Sequence, residues 1–537
     1  MPDLSREIRH FPPADPGPNP IHIGVACPSA YPVALASLGY QTIHLLAHSH
    51  PGFVTHRIVL NKADGTVYPS RTLEEGLRIN SLAALLFSCS FELDYLHLVR
   101  ILDEAGIPIL RRDRGSTPLV IIGGIAPTAN PEPTAMIADA ISIGEGEETL
   151  PGVLDDIQGA FPLLQGPRFL EARQRLYELW DSRDGVYVPA LWEDEKGGFF
   201  ERNGRRLVQA SVSDPDRHPS YTPVVSPEGV YGAKNLVAIS SGCPAGCRFC
   251  LLSYVFPPGP HRSVESILEN AGHFSPDEAS VGLVSSRVSD HPHLARVINA
   301  LTDDGFEVSV SSLRIAGTTT DILDALARSG SKTVTFAPEH GSARIRDLFC
   351  KPHTYEEIRD RVVRAYDAGI SRVKLYFLTG FVEETAEDLD ATPDFVLSLA
   401  SDARLASRPA ECRLTVGLAP FVPKAATPFQ RRPMDDEKTL RRKMKRITDP
   451  LKRRPRIEVE IESPRSAIMQ GALSQGDRTI AAHLAEIART RGALVRSWDE
   501  ALRKAGDGPR RRVLESRDES AALPWSFIKR PKSGNDP

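Results

Sequence analysis

The chain has 537 residues, 41% hydrophobic and 25% charged, enough apolar material for about three or four ordinary soluble domains. A formal net charge of -4 gives no overall pull toward nucleic acid or anionic membrane. No apolar run is long enough to span a bilayer, and 7 Cys argue against a disulfide framework. Residues 1–20 are polar and Pro-rich, without the apolar core of a signal peptide, so a disordered arm and the reducing cytoplasm are expected.

Residues 21–158 read as alternating strands and helices. Ile21–Ala26 is strand-like, and Tyr31–His48 carries a helical apolar face through Ala34, Leu35, Leu38, Leu45 and Leu46. Leu82–Phe87 is a continuous apolar run, as a strand buried on both faces of a parallel sheet requires. Leu93–Ala105 reads as a helix closed by Gly106. The strand Leu119–Ile122 ends in Gly123-Gly124, and Ala140–Ile143 ends in Gly144-Glu145-Gly146-Glu147-Glu148. This pattern predicts a doubly wound α/β domain of flavodoxin-like or Rossmann type, with ligands outside the C-terminal ends of its strands. Residues 159–233 read as a connector with a small hairpin, Gly185–Leu191 and Arg206–Ala210 flanking a polar Gly-rich turn.

Residues 234–430 carry six strand-like runs: 236–240, 281–284, 308–311, 333–337, 373–377 and 414–418. Thr354 with Glu357, and Thr385 with Asp388, have capping-box spacing, and Gly272, Gly305, Gly330 and Gly369 close helices. Six βα repeats predict a partial, TIM-like (β/α)6 barrel with its site on the C-terminal strand ends. A small helical region is expected over 431–505 and a tail over 506–537, with Trp525 as anchor. Lys438, Arg441, Arg442, Lys443, Lys445 and Arg446 begin a basic cluster that is either a solvated helix face or an RNA- or phosphate-facing surface.

Three of the 7 Cys fall in one loop after the first barrel strand: Cys243, Cys247 and Cys250, spaced C-x3-C-x2-C and loosened by Gly242 and Gly246. Soft thiolates suit an iron–sulfur cluster or zinc. Zinc would want a fourth ligand, for which His261 is the nearest downstream histidine. Three thiolates on a 4Fe–4S cluster leave one iron open, as a catalytic site requires.

This spacing, with an aromatic residue before the last Cys, resembles the radical S-adenosylmethionine (radical SAM) superfamily. The resemblance implies that Cys243, Cys247 and Cys250 hold a 4Fe–4S cluster and that the open iron binds SAM. Cleavage of SAM would then give a 5′-deoxyadenosyl radical. It also implies that Phe249 lies near the adenine, and that a one-electron donor such as flavodoxin or ferredoxin is needed. By their place on the barrel rim, Ser285, Ser286, Ser312, Arg314, Glu339 and Tyr376 become candidate SAM contacts. Arg314 would serve as a carboxylate partner, Glu339 as an acceptor, and Tyr376 would lie on the adenine and substrate side.

Ser88-Cys89-Ser90, Gly123-Gly124, Asn130-Pro131-Glu132-Pro133 and Gly144–Glu148 resemble the cobalamin-binding-type domain that precedes many radical SAM enzymes. The resemblance implies that Ser88, Ser90, Gly123 and Gly124 approach cobalamin's tail. The Asp-x-His-x-x-Gly of His-ligated cobalamin is missing, because Cys27-Pro28-Ser29-Ala30-Tyr31 stands there. Cobalamin bound without histidine and a domain that binds none both stay open. Ala419–Gln430, Ser474–Arg478 and Leu523-Pro524-Trp525 extend the resemblance over nearly the whole chain. The implied activity is radical SAM chemistry, with cobalamin-assisted methyl transfer as one outcome. Rearrangement, oxidation or cyclisation without cobalamin, or an iron–sulfur RNA-binding protein, are the alternatives. Neither the substrate nor a catalytic side chain is legible.

Overall fold

A computed structural model describes residues 2–12, 16–60, 69–194, 198–199, 204–256, 258–402, 412–490, 494–504 and 508–531. The chain divides into two compact units. The first comprises residues 1–234, 472–510 and 520–532, and the second 235–471, 511–519 and 533–537. No helix among the described residues is long and apolar enough to cross a membrane.

In the first unit the N-terminal strand β1 (Ile8–Arg9) is followed by β2 (Ile21–Ala30), β3 (Phe53–Leu60), β4 (Ala84–Ser88), β5 (Leu119–Gly123), β6 (Ala140–Ser142) and β7 (Val186–Tyr187). The sheet order is β3-β2-β4-β5-β6-β7, parallel except for β7, which is the flavodoxin-like order with an antiparallel edge. Ile23, Val25, Leu85, Val120 and Ile141 are fully buried, as the unbroken apolar runs require. The helical stretch after β2 is split into Tyr31–Leu35 and Leu38–Ser49, with Ser37 at the new N-cap position.

Several expected boundaries are corrected. Part of the arm expected to be disordered is tied down, at residues 7–9: β1 pairs antiparallel with β9 (Val224–Val225), and the buried Glu7 side chain accepts from the Arg57 guanidinium at 2.8 Å and the Tyr31 hydroxyl at 2.6 Å. Its polar composition concealed partners that lie far along the chain. Strand β3 was not anticipated. The expected hairpin does not form, because β7 joins the main sheet while β8 (Leu207–Val208) pairs in parallel with Ile528–Lys529. Residues 195–197 and 200–203 of its turn lie outside the described residues. Residues 472–505, expected within a separate helical region, and 506–510 and 520–532, expected within the tail, belong to the first unit.

The second unit contains all six expected strands, β10 (Lys234–Ala238), β11 (Ser280–Val284), β12 (Val308–Val310), β13 (Thr333–Glu339), β14 (Arg372–Thr379) and β15 (Arg413–Pro420). A seventh, β16 (Ile457–Ile461), extends the parallel sheet beyond β15. Strands β10–β12 and β13–β16 form two sheets bridged by Leu313 and Phe336, an open barrel arc. Both capping boxes are present, at Thr354/Glu357 and Thr385/Asp388. On β14, Leu375 and Phe377 are buried while Tyr376 between them is 40% exposed.

Candidate active site

The cysteine loop begins five residues after β10 ends. Gly242 and Gly246 take φ of 65° and 66°, a left-handed backbone open to glycine at little cost, and this turns the loop back on itself. Cys243 and Cys247 are buried and Cys250 is half-buried, all as free thiols. Cys247 and Cys250 feel each other, Cys243, Glu339 and Lys351 electrostatically, so the three sulfurs share one locale with that acid and that base. Burial pushes the Cys247 thiol up to about 12 and also raises Cys250. Phe249 packs edge-on against Phe349 with ring centroids 5.3 Å apart, at the border of an apolar cluster containing Phe381, Phe421 and Phe429.

Around the loop, the rim residues fall into two groups. Some are consumed by the scaffold. The Ser285 hydroxyl lies 2.6 Å from that of Ser240 and accepts from the Arg287 amide, while the Ser286 hydroxyl donates to the Gly242 carbonyl at 2.5 Å. Arg314, expected to be a carboxylate partner, has its guanidinium in an ion pair with Asp290. Ser312 is exposed.

Glu339, Lys351 and Arg287 interact with the cysteines. Glu339 closes β13 with φ of 69° and is 8% exposed. A non-glycine residue held there costs about 1–3 kcal/mol and is kept only where surroundings demand it. Its Oε1 accepts from Lys351 Nζ at 2.7 Å. Sequence reading missed Lys351. Its position follows from the end of helix Ala343–Leu348: Cys350 sits at φ 59° and donates to the Asp347 carbonyl, and the Lys351 amide donates to that of Arg346. This is a Schellman turn, with cysteine where glycine is usual. Arg287 was missed too. It is 7% exposed, donates to the Gly259 carbonyl, interacts with Cys243, and its Nε has no hydrogen-bond partner among the described residues. Tyr376 presents its ring beside the Lys374 ammonium, 5.2 Å from the centroid.

In the first unit, Ser88 pairs with Gly123 at the C-terminal ends of β4 and β5, and the Cys89 amide donates to the Gly123 carbonyl at 2.8 Å. The structure therefore brings Ser88, Ser90, Gly123 and Gly124 onto one rim. A Cβ at Gly124, φ 112°, would lie 2.2 Å from the Cys89 carbonyl oxygen, and one at Gly144 would lie 2.0 Å from that of Ala210. Both glycines are required by the chain's own backbone. The Asn130–Pro133 motif has an internal partner as well: Asn130 Nδ2 donates to the Ser474 and Gly476 carbonyls, and Glu132 holds Arg478 at 2.7 Å. Two motifs far apart in sequence thus clasp each other.

The basic cluster after residue 437 is partly spent in ion pairs. Lys443 is buried against Glu384 at 2.9 Å, Arg446 pairs with Asp390 at 2.6 Å and Arg441 with Glu437 at 2.7 Å. An RNA-facing surface loses these three cations.

Comparison with known proteins places these features. Residues 237–396 match the radical SAM superfamily, and residues 39–189 match the N-terminal region of radical SAM proteins. The protein is a radical SAM enzyme. It is 28% identical over 414 residues to an uncharacterized protein of Methanocaldococcus jannaschii, covering 77% of this chain and 82% of that one. It is 26% identical over 295 residues to an uncharacterized methyltransferase of Pyrococcus horikoshii, covering 53% and 58%. It is 27% identical over 140 residues to the bacteriochlorophyllide d C-8(2)-methyltransferase of Chlorobaculum tepidum, covering 26% and 23%. In fold it is similar to the radical SAM methyltransferase TsrM of Kitasatospora setae, with TM-score 0.51 and 13% identity over 76% of this chain and 75% of that one.

A radical SAM domain implies a 4Fe–4S cluster, SAM and a one-electron reductant. The donor set fits the cluster: three converging thiols, two cations beside them and an orphaned buried Arg287 Nε. The first unit's rim offers small residues to a corrinoid, but the end of β2 carries no histidine to serve as its axial ligand.

Proposed function

We propose that this enzyme cleaves SAM reductively at a 4Fe–4S cluster on Cys243, Cys247 and Cys250 and methylates a carbon of its substrate. The carrying observation is the convergence of three thiols with Glu339 and Lys351 at the C-terminal ends of the barrel strands. A cluster held there supplies the single electron that breaks a carbon–sulfur bond of the sulfonium. The chain's own share is positioning. Glu339 offers an acceptor to the amine of the methionine moiety, and Lys351 and Arg287 offer donors to its carboxylate or to cluster sulfur. Phe249, fixed against Phe349, gives the adenine an apolar wall, and exposed Tyr376 faces the substrate side. The names of the Pyrococcus and Chlorobaculum relatives support methyl transfer.

Cobalamin-assisted transfer would set the corrinoid on Ser88, Ser90, Gly123 and Gly124 without an imidazole from β2. Gly124, already required by the Cys89 backbone, is no independent sign of a corrinoid, which supports a second reading: radical rearrangement, oxidation or cyclisation without cobalamin. The test is anaerobic reconstitution, reduction by dithionite or a flavodoxin, and measurement of 5′-deoxyadenosine, then desalting after exposure to hydroxocobalamin. No 5′-deoxyadenosine sinks the radical reading. No retained cobalamin at micromolar concentration leaves the second reading in place of cobalamin-assisted transfer.

A further inference from the structure

Two histidines and a carboxylate converge on the first unit's sheet, away from the rim of Ser88 and Gly123. His22 is the second residue of β2, His56 lies within β3, and the strands pair in parallel with Gly24 opposite His56. Ala84, at the start of β4, pairs with Ile23, so Ser88 lies about 15 Å further along the strands. His22 Nδ1 is 2.9 Å from His56 Nε2, with the rings stacked at 15° and centroids 5.2 Å apart. Glu75 arrives on a pinned loop. Its neighbour Glu74 accepts from the Arg57 amide at 2.9 Å and from Arg57 Nε at 2.5 Å, and the Leu73 amide donates to the Arg57 carbonyl at 2.9 Å. That clamp acts on the residue after His56 and delivers Glu75 beside the histidine pair. One donor atom from each of His22, His56 and Glu75 lies within 4.8 Å of the others.

A simple imidazole pair leaves a remainder here. His56 is 1% exposed, and its Nδ1 has no hydrogen-bond partner among the described residues. Nε2 is the His56 nitrogen that faces His22 Nδ1, and an ion bound to Nε2 leaves the ring proton on Nδ1.

We propose that His22, His56 and Glu75 bind a divalent ion of the zinc class, with water as fourth ligand. Two imidazoles and one carboxylate are the donors such ions take, whereas Ca2+ and Mg2+ prefer all-oxygen shells. Bonds of ~2.0 Å in a tetrahedron space the donors by ~3.3 Å, so the exposed Glu75 carboxylate closes on the histidines as the ion binds. The ion ties β2, β3 and the loop carrying Glu75 together at the edge of the sheet. The site lies in the first unit, apart from the cysteine loop of the second.

The experiment uses full-length protein with Cys243, Cys247 and Cys250 all replaced by Ala, which removes competing thiolates. Co2+ should saturate at one equivalent, giving the stronger visible d–d bands of a tetrahedral ion without thiolate charge transfer. His22→Ala or Glu75→Gln should weaken this binding about 100-fold or more. For a triple variant that does not fold, cluster-loaded wild type serves instead: zinc bound beyond the iron, counted by mass spectrometry, should fall by one equivalent in His22→Ala. No saturable uptake up to millimolar metal, or uptake unchanged in His22→Ala and Glu75→Gln, overturns the proposal.

Discussion

The Lys351 ammonium stands 2.7 Å from Glu339 Oε1 and 3.0 Å from the Ala337 carbonyl, joining a strained strand end to a helix terminus beside three cysteines. Burial works to lower the Lys351 pKa, but the Glu339 carboxylate beside it raises it on balance, so the lysine is charged at neutral pH. Loss of a charge-assisted hydrogen bond costs about 1.5–3 kcal/mol, or roughly 10- to 150-fold in affinity. Lys351→Met and Glu339→Gln should therefore each weaken SAM binding by about that factor in equilibrium dialysis, with iron content unchanged. Normal SAM affinity in both would reduce the pair to a scaffold contact. Because Arg314 is already paired with Asp290, Arg314→Ala should leave SAM affinity within about threefold of wild type.

Replacing Cys243, Cys247 or Cys250 singly by Ala should abolish the cluster's electron paramagnetic resonance signal and 5′-deoxyadenosine formation together. Cys350→Ala should keep both, since a left-handed turn, not ligation, explains its position. An iron–sulfur signal that survives loss of Cys250 would redraw the ligand set.

Arg478 reaches Glu132 at 2.7 Å, the Tyr187 hydroxyl at 2.9 Å and the Trp192 carbonyl at 3.1 Å, all within the first unit. Removing one partner of a buried ion pair costs about 3–5 kcal/mol. All 4 Trp, at 180, 192, 498 and 525, lie in that unit, so tryptophan fluorescence reports its unfolding separately. Arg478→Ala should lower the urea midpoint of the fluorescence transition, with a cost of that size. An unchanged midpoint would show that the clasp contributes nothing net.

Burial pushes the Asp94 carboxyl, at the start of helix Asp94–Glu104, up to about 7. The folded state then holds a proton that the unfolded chain has released. Stability from this group is full below the ordinary carboxylate range and is lost as pH rises through about 7. The first unit should be less stable at pH 8 than at pH 5 by roughly 1–3 kcal/mol, reduced from the full linkage value by the carboxyl's partial solvent contact. Asp94→Asn should flatten that slope in fluorescence-monitored urea unfolding, and an equal slope in the variant would refute the assignment.

What local pattern encodes, the sequence carried alone. The unbroken apolar runs at 82–87 and 119–122 and the capping boxes at Thr354 and Thr385 are each complete within a few residues, and each appears as expected; the cysteine spacing at 243–250 is equally local. Other features depend on partners that sequence cannot reveal. Arg314 looked free until Asp290 arrived from the preceding rim loop. Gly124 read as a cobalamin contact until the Cys89 backbone filled the space beside it, and nothing in the Asn130–Pro133 motif announced Arg478 as its partner. Strand β16, Ile457–Ile461, alternates apolar and acidic residues and so was legible as a strand, but only its pairing with β15 shows that it extends the barrel sheet. Lys351 and Arg287 carry no motif, since a charged residue is functional only through what surrounds it. Hydrophobic period and backbone caps act over one turn of helix or one strand. The charge and hydrogen-bond partners that define a site are chosen across the fold, and those only the tertiary structure decided.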